Sequence, residues 1–309
     1  SGNVAQFTTE KLLDLGANVP GGAPDSLPLG DGSLPNPRAE NPTGTLLGPR
    51  QKAWWKEVMA GSDATWKVWA NSVPLMPMRL DLDRLDPEQP RAVLSTDTWD
   101  GYLAERRELT EYLVGNDIRN VVSLSGDNHN TFAGLLLRDF DAETPEPIGA
   151  EFSIAGISSP SVFRAFRGVL AEDDPLRALV VREGPDGRVE PALNMTFLHG
   201  TVASATTART GDPAAGIAAA PPTPNPHLRY VDSDAYGIGL ATVDGEGVEV
   251  EMITLDAPVG GGGAARGAGD RRGAAVSHGG GLRGRRRGDP RPFPGGTEGA
   301  FAAPTPLVP

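Results

Sequence analysis

Cysteine is absent from all 309 residues. That excludes disulfide staples, thiolate nucleophiles and cysteine-ligated zinc, and leaves the compartment open. Long apolar runs are also missing: no window approaches the roughly 18 uninterrupted apolar residues a membrane-spanning helix needs. No G-x-S-x-G elbow occurs, so a serine-hydrolase reading has no support. Histidine is scarce, with four copies. Ser1 is preceded by no Met, and no signal-like leader follows it, so either a targeting segment has been removed or the chain is a fragment. Lysine is missing from residues 257–309, which hold eight Arg, three acids and fifteen Gly. Residues 1–256 carry 20 basic and 37 acidic side chains. A body this acidic disfavours general nucleic-acid binding and suits multivalent cations.

What remains is enough for one large domain or two small ones. Thr8 or Thr9 caps a short helical pattern up to Gly16, and residues 17–48 read as irregular loop. Pro49 opens a helix through Ala60, since proline suits a first helical turn. Residues 64–73 alternate as a strand with Trp66, Val68 and Ala70 on one face. A proline-rich loop over 74–90 leads to a short strand at RAVLST, then a helix over Leu103–Val114 stopped by Gly115-Asn116. Further strands are expected at Asn120–Leu124, Phe132–Phe140 and Gly149–Ile157. Ser158-Ser159-Pro160 reads as the cap of a helix over Val162–Leu170. Residues 174–225 give no clear pattern beyond Pro-rich loop. YGIGLATVD and VEVEMITLD flank Gly245-Glu246-Gly247 as a β-hairpin. This order predicts an α/β domain with a mixed sheet over residues 1–255. Residues 256–309 read as a Gly/Arg/Pro-rich low-complexity tail, disordered on composition. Two other readings stand for it: an anionic-surface patch at Arg283–Arg287, or a shift of reading frame near residue 257 in GC-rich coding DNA.

Chemistry concentrates in RNVVSLSGDNHNTFAG. An apolar strand ends at Gly126, and Asp127 and His129 follow. If extended geometry persists, two residues of this spacing project to one face. A carboxylate and an imidazole suit hard-to-borderline metal ions, and Gly126 would let the backbone turn. The alternative is a turn in which Asp127 merely caps neighbouring amides. Asp97, Asp100 and Tyr102 follow a strand and either shape a substrate pocket or form a hydrogen-bonded turn. Arg106 reads as a salt-bridge residue, Trp54, Trp55, Trp66 and Trp69 as packing residues, and His199 as a lone satisfied histidine.

Several blocks in order carry a family resemblance: LLGPRQKAWW, WKVWANSV, DTWDGYLAERREL, NVVSLSGDNHNTFAG, EFSIAGISSPSV and NPHLRYVDSDAYGIGLATV. Across roughly Thr45 to Leu255 the chain resembles the alkaline phosphatase D (PhoD-like) family of metallophosphoesterases, with Phe132 where many relatives have Trp. The resemblance implies a metallophosphoesterase-like sandwich, incomplete here, and hydrolysis of phosphate mono- or diesters by metal-activated water. It implies calcium and iron(III), or other divalent metals, as cofactors, and a secreted or periplasmic bacterial location. It makes Asp127 and His129 metal ligands, His129 and His227 catalytic candidates, and Asp97, Asp100 and Tyr102 substrate-binding candidates. The family's upstream ligand blocks have no counterpart in this chain, so the expectation is a truncated, inactive and poorly folded fragment. No nucleic-acid partner is expected. A non-catalytic secreted β-rich binding domain, with its Asp and His residues capping loops, is the competing expectation.

Overall fold

The computed structural model describes residues 26–29, 32–35, 44–89, 91–95, 97–184, 187–255, 271–277 and 281–286. The helix expected before Gly16 lies outside them. Strands β1 (Ser26–Leu29) and β2 (Gly32–Pro35) pair antiparallel inside the stretch read as loop. The Gly30-Asp31-Gly32 sequence between two Leu-Pro runs is the hairpin signal that the proline content obscured.

Helix α1 (Gly48–Gly61) has Pro49 in its first turn, as expected. It buries Trp55 and Met59, four residues apart and therefore on one face. Trp54 points the other way and is exposed, so one of the four tryptophans read as packing residues does not pack. Strand β3 (Lys67–Ala70) follows. Its deeply buried side chain is Trp69, on the face opposite Trp66 and Val68, and Val68 is exposed. Short strands β4 (Arg79–Leu80) and β5 (Ala92–Val93) bracket the next loop, and a 3-10 turn at Trp99–Gly101 leads into α2 (Leu103–Gly115).

The central sheet then forms from β6 (Val121–Ser125), β7 (Thr131–Leu137), β8 (Pro147–Ser153) and, much later, β11 (Leu228–Asp232). Its spatial order is β11-β7-β8-β6-β3. Strands β3, β6 and β8 run parallel, whereas β7 and β11 run antiparallel to their neighbours. The mixed sheet is as expected. Parallel strands buried on both faces read as continuous apolar runs, which is why Val121, Val122 and Leu124 showed no alternation.

Between β8 and β11 the structure builds α3 (Val162–Val169), α4 (Arg177–Val180), β9 (Val181–Glu183), β10 (Val189–Pro191), α5 (Leu193–His199), α6 (Thr201–Thr210) and α7 (Pro213–Ala219). This corrects the loop reading of residues 174–225. Gly211 ends α6 at φ 71°, Asp212 accepts from the Ala214 amide, and Pro213 starts α7. That Gly-Asp-Pro succession is a stop-cap-start signal. Ser161 caps α3 by accepting from Arg164 N, and so takes the place expected for Ser158 or Ser159.

Two apolar layers sandwich the central sheet. One face carries Val121, Phe132 and Leu136 against Trp55, Trp69, Trp99, Leu109, Leu113 and Phe197. The other carries Val122, Ala133, Ala150 and Phe152 against Val248, Val250 and Met252 of a second sheet. That sheet is the expected hairpin, β12 (Gly237–Val243) and β13 (Gly247–Thr254). Each large side chain buried this way contributes about 1.5–3 kcal/mol. The protein is thus a mixed α/β sandwich. Within the segment read as a tail, β14 (Arg271–Ser277) adds antiparallel to β13 and β15 (Gly281–Arg286) adds antiparallel to β14. The rest of 256–309 lies outside the described residues.

Candidate functional site

The sheet topology sets the site. β8 lies between β6 and β7, so residues 126–130 must cross its carboxyl end to join strands that are not neighbours. Two strand spacings amount to roughly 9.6 Å. The chain turns back within five residues, and it does so through the left-handed region at Asp127 (φ 66°) and His129 (φ 54°). The extended geometry expected at this pair therefore does not persist, and the turn falls on Asp127 and His129 rather than on Gly126. Non-glycine residues held there store strain on the order of 1 kcal/mol each.

The crossing is anchored at several points. Ile154 N donates to Ser125 O at 3.0 Å, and Ala155 N donates to Thr131 Oγ1 at 3.1 Å. Asn128 N donates to Gly126 O at 2.8 Å. The amides of Asn128 and Asn130 rest on Met78 Sδ at 3.4 and 3.2 Å. Among the described residues, Asn130 Oδ1 and Ser153 Oγ are buried without a hydrogen-bond partner. Asn130 is the last residue of the crossing, and Ser153 is the last residue of β8.

Asp127 and His129 are exposed. His129 Nδ1 lies 2.8 Å from Pro160 O. A carbonyl only accepts, so Nδ1 carries the proton, and Nε2 is the ring nitrogen left to hold a lone pair in the neutral tautomer. The His129 carbonyl accepts from Val162 N at 2.9 Å. Pro160 is held in turn by its neighbour. Ser161 Oγ donates to Asp234 Oδ1 at 2.7 Å, Ser161 N donates to the Tyr236 hydroxyl at 3.3 Å, and Arg164 pairs with Asp234 at 2.9 Å. The Ser-Ser-Pro-Ser and Asp-Ser-Asp-Ala-Tyr blocks thus brace one imidazole. Sequence reading singled out these blocks without giving Ser161, Asp234 or Tyr236 a role.

The remaining candidates do not join this pair. His227 is buried beside β11, its carbonyl accepting from Leu135 N at 3.0 Å. That is four residues into β7, roughly 14 Å along the strand from Thr131. Its Nε2 meets Pro77 O at 2.8 Å, and its ring packs edge-on to Phe140 at 5.0 Å. Burial pushes its pKa down to about 3, and Arg79, Arg106 and Arg229 push the same way. Asp97 faces solvent and takes the Ser95 hydroxyl. Asp100 points inward, where Arg106 Nη1 meets its Oδ1 at 2.7 Å, and Tyr102 packs against the larger core cluster. Arg106 is the expected salt-bridge residue, but a buried one.

Glu151 escaped sequence reading altogether. It is fully buried on β8 and accepts four hydrogen bonds: Leu75 N at 3.0 Å, Met76 N at 2.7 Å, and Ser123 Oγ and Ser125 Oγ at 3.0 Å each. Burial pushes its carboxyl pKa up, opposed by those donors. The signal was a lone acid inside the apolar run GAEFSIAGI.

Asp127 and Nε2 of His129 are two donors of the kind metal ions accept. Among the described residues no group of three or more His, Asp or Glu side chains is placed to hold an ion. In donor chemistry the pair fits a metal ion, as two donors.

A family model described as PhoD-like phosphatase matches residues 26–252. Alkaline phosphatase D of Bacillus subtilis (strain 168) is 30% identical over 161 residues, covering 51% of this chain and 25% of that protein. The chain therefore spans about a quarter of that relative's length. A solved structure titled "Structure of PhoD" superposes with a TM-score of 0.48 at 21% identity, covering 77% of this chain and 34% of the other. No helix among the described residues is long and apolar enough to cross a membrane.

Proposed function

The chain belongs to the PhoD-like phosphatase family, and on that premise we propose that the protein is a metal-dependent phosphoesterase whose reacting end is the crossing at residues 126–130. One observation carries this reading. Two exposed donors, Asp127 and His129, sit where the chain crosses the carboxyl end of a parallel strand, and His129 has its tautomer set by Pro160. Ligands of α/β sheets gather outside the carboxyl ends of the strands.

Asp127 and His129 Nε2 would hold the ion, together with ligands beyond the described residues. Calcium and iron(III) are the ions the family resemblance implies. The ion's contribution would be Lewis acidity toward the phosphoryl oxygens and toward the attacking water. The chain's own residues do the rest. Pro160 O fixes the proton on Nδ1 and keeps Nε2 available. The braced Ser161–Asp234 pair limits ring rotation, and the hydrogen-bonded crossing holds Asp127 at its positive φ. Asp100, inside its ion pair with Arg106, acts on this end through structure rather than by touching substrate. His227, buried and neutral, lies outside the reacting end. A phosphate monoester or diester is the proposed substrate, and export from the bacterial cytoplasm accords with the family resemblance.

The test is turnover of p-nitrophenyl phosphate and of its bis-ester, with calcium and iron supplied or chelated. Chelation is expected to abolish turnover and metal return to restore it. Undiminished turnover under chelation would refute metal dependence. No turnover by the folded, metal-supplied protein would favour the non-catalytic binding domain.

A further inference from the structure

The crossing has an anchor that lies outside its own residues. Glu151 reaches the crossing by two routes. Its Oε1 accepts from Ser125 Oγ at 3.0 Å, and Ser125 is the last residue of β6 before Gly126. Its Oε2 accepts from Met76 N at 2.7 Å, in the loop whose Met78 Sδ supports the amides of Asn128 and Asn130. One carboxylate therefore grips both the root of the crossing and the cradle under it. The grip extends further. Leu75 donates its amide to Glu151 at 3.0 Å and accepts at its carbonyl from Arg106 Nη1 at 2.8 Å, and the same nitrogen meets Asp100 Oδ1 at 2.7 Å. The Asp-Gly-Tyr block and the Gly-Asp-Asn-His block, 27 positions apart from Asp100 to Asp127, are joined through this buried chain.

An ionised carboxylate with four acceptor sites is satisfied by four donors. An apolar side chain at 151 would pack as well but would leave two loop amides and two hydroxyls to find other partners. The residue type matters for where the loop and the strand end sit relative to each other.

We infer that Glu151 is a positioning residue for Asp127 and His129, holding the crossing in register through Ser125 and through the Met76–Met78 loop. The inference deepens the proposed function and rests on it for its catalytic meaning, whereas the geometric claim stands on the hydrogen bonds alone. Groups that orient metal ligands typically change affinity by about 10–100-fold when replaced.

The experiment compares Glu151→Gln with Glu105→Gln. Glu105 is a second buried carboxylate that also holds a loop, through Leu46 N at 2.6 Å and Leu47 N at 3.2 Å, but it stands on α2 and its bonds go to residues 45–52 instead of the crossing or the Met76–Met78 loop. The first readout is the His129 imidazole nitrogen resonances in metal-free protein, assigned with a His129→Gln variant. Glu151→Gln is expected to shift them and Glu105→Gln to leave them in place. The second readout is calcium affinity by calorimetry, expected to fall about 10-fold or more for Glu151→Gln alone. Unmoved His129 resonances in folded Glu151→Gln, or equal shifts in both variants, would overturn the inference. If Glu151→Gln moves His129 but wild-type protein neither binds calcium nor hydrolyses phosphate esters, positioning stands and the phosphoesterase reading falls.

Discussion

Two histidines sit along β7 in opposite conditions. His129, just before the strand, is exposed, has its Nδ1 proton fixed by Pro160 and stands in left-handed backbone. His227, beside the strand's middle, is buried against Phe140, neutral, and bonded to the Pro77 carbonyl. The aspartates divide the same way: Asp127 is open to solvent, and Asp100 is enclosed with Arg106. Residue type made all four candidates. The proposed reacting end takes the two exposed ones, and the two buried ones belong to the packed structure around it. Strain and exposure mark one region, and satisfied burial marks the other.

The comparison implies opposite costs. The largest expected effect is on the buried side. Arg106→Ala would leave Asp100 as an unpaired buried charge and the Leu75 carbonyl without its donor, a loss of about 3–5 kcal/mol. Urea unfolding would show it, and a loss under 1 kcal/mol would mean that Asp100 rehydrates easily.

Next comes acid sensitivity. His227 titrates near 6.5 when unfolded and near 3 when folded, so the unfolded state binds the proton first. Its contribution to stability is fully present above pH 6.5 and is lost as pH falls toward 3, at about 1.4 kcal/mol per pH unit. His227→Gln is expected to flatten that slope in a series of unfolding curves. An unchanged slope would assign the acid sensitivity to other groups.

The smallest effect has the opposite sign. Asp127→Gly relieves a left-handed non-glycine residue and is expected to raise stability by up to about 1 kcal/mol while weakening metal binding. A destabilised Asp127→Gly protein would show that the carboxylate contributes to folding, contrary to the comparison.

The sequence made the strand at β6, the final hairpin and the Asp127–His129 pair legible, because each is a local pattern of apolar residues followed by turn or ligand residues. It could not show that β6 and β7 are separated by β8. That non-local fact forces the crossing, turns the backbone left-handed at Asp127 and His129, and removes the expected extended geometry. Glu151 was hidden for a related reason. Its loop partners lie 75 and 76 positions away. The helices between residues 201 and 219 are rich in Ala and Thr and carry weak apolar periodicity, so only the Gly-Asp-Pro boundary marked them. His227 is a site candidate through the resemblance of its block alone, and its burial is a non-local fact that the sequence does not carry.

The central claim is that the crossing, and not the buried polar interior, is the reacting end. The most direct test measures kcat for p-nitrophenyl phosphate per folded molecule in His129→Gln and His227→Gln, with metals supplied. His129→Gln is expected to lose about 100-fold or more with its unfolding midpoint nearly unchanged, and His227→Gln to lose stability while keeping kcat within about threefold. Full turnover in His129→Gln, with turnover lost in folded His227→Gln, would contradict the account.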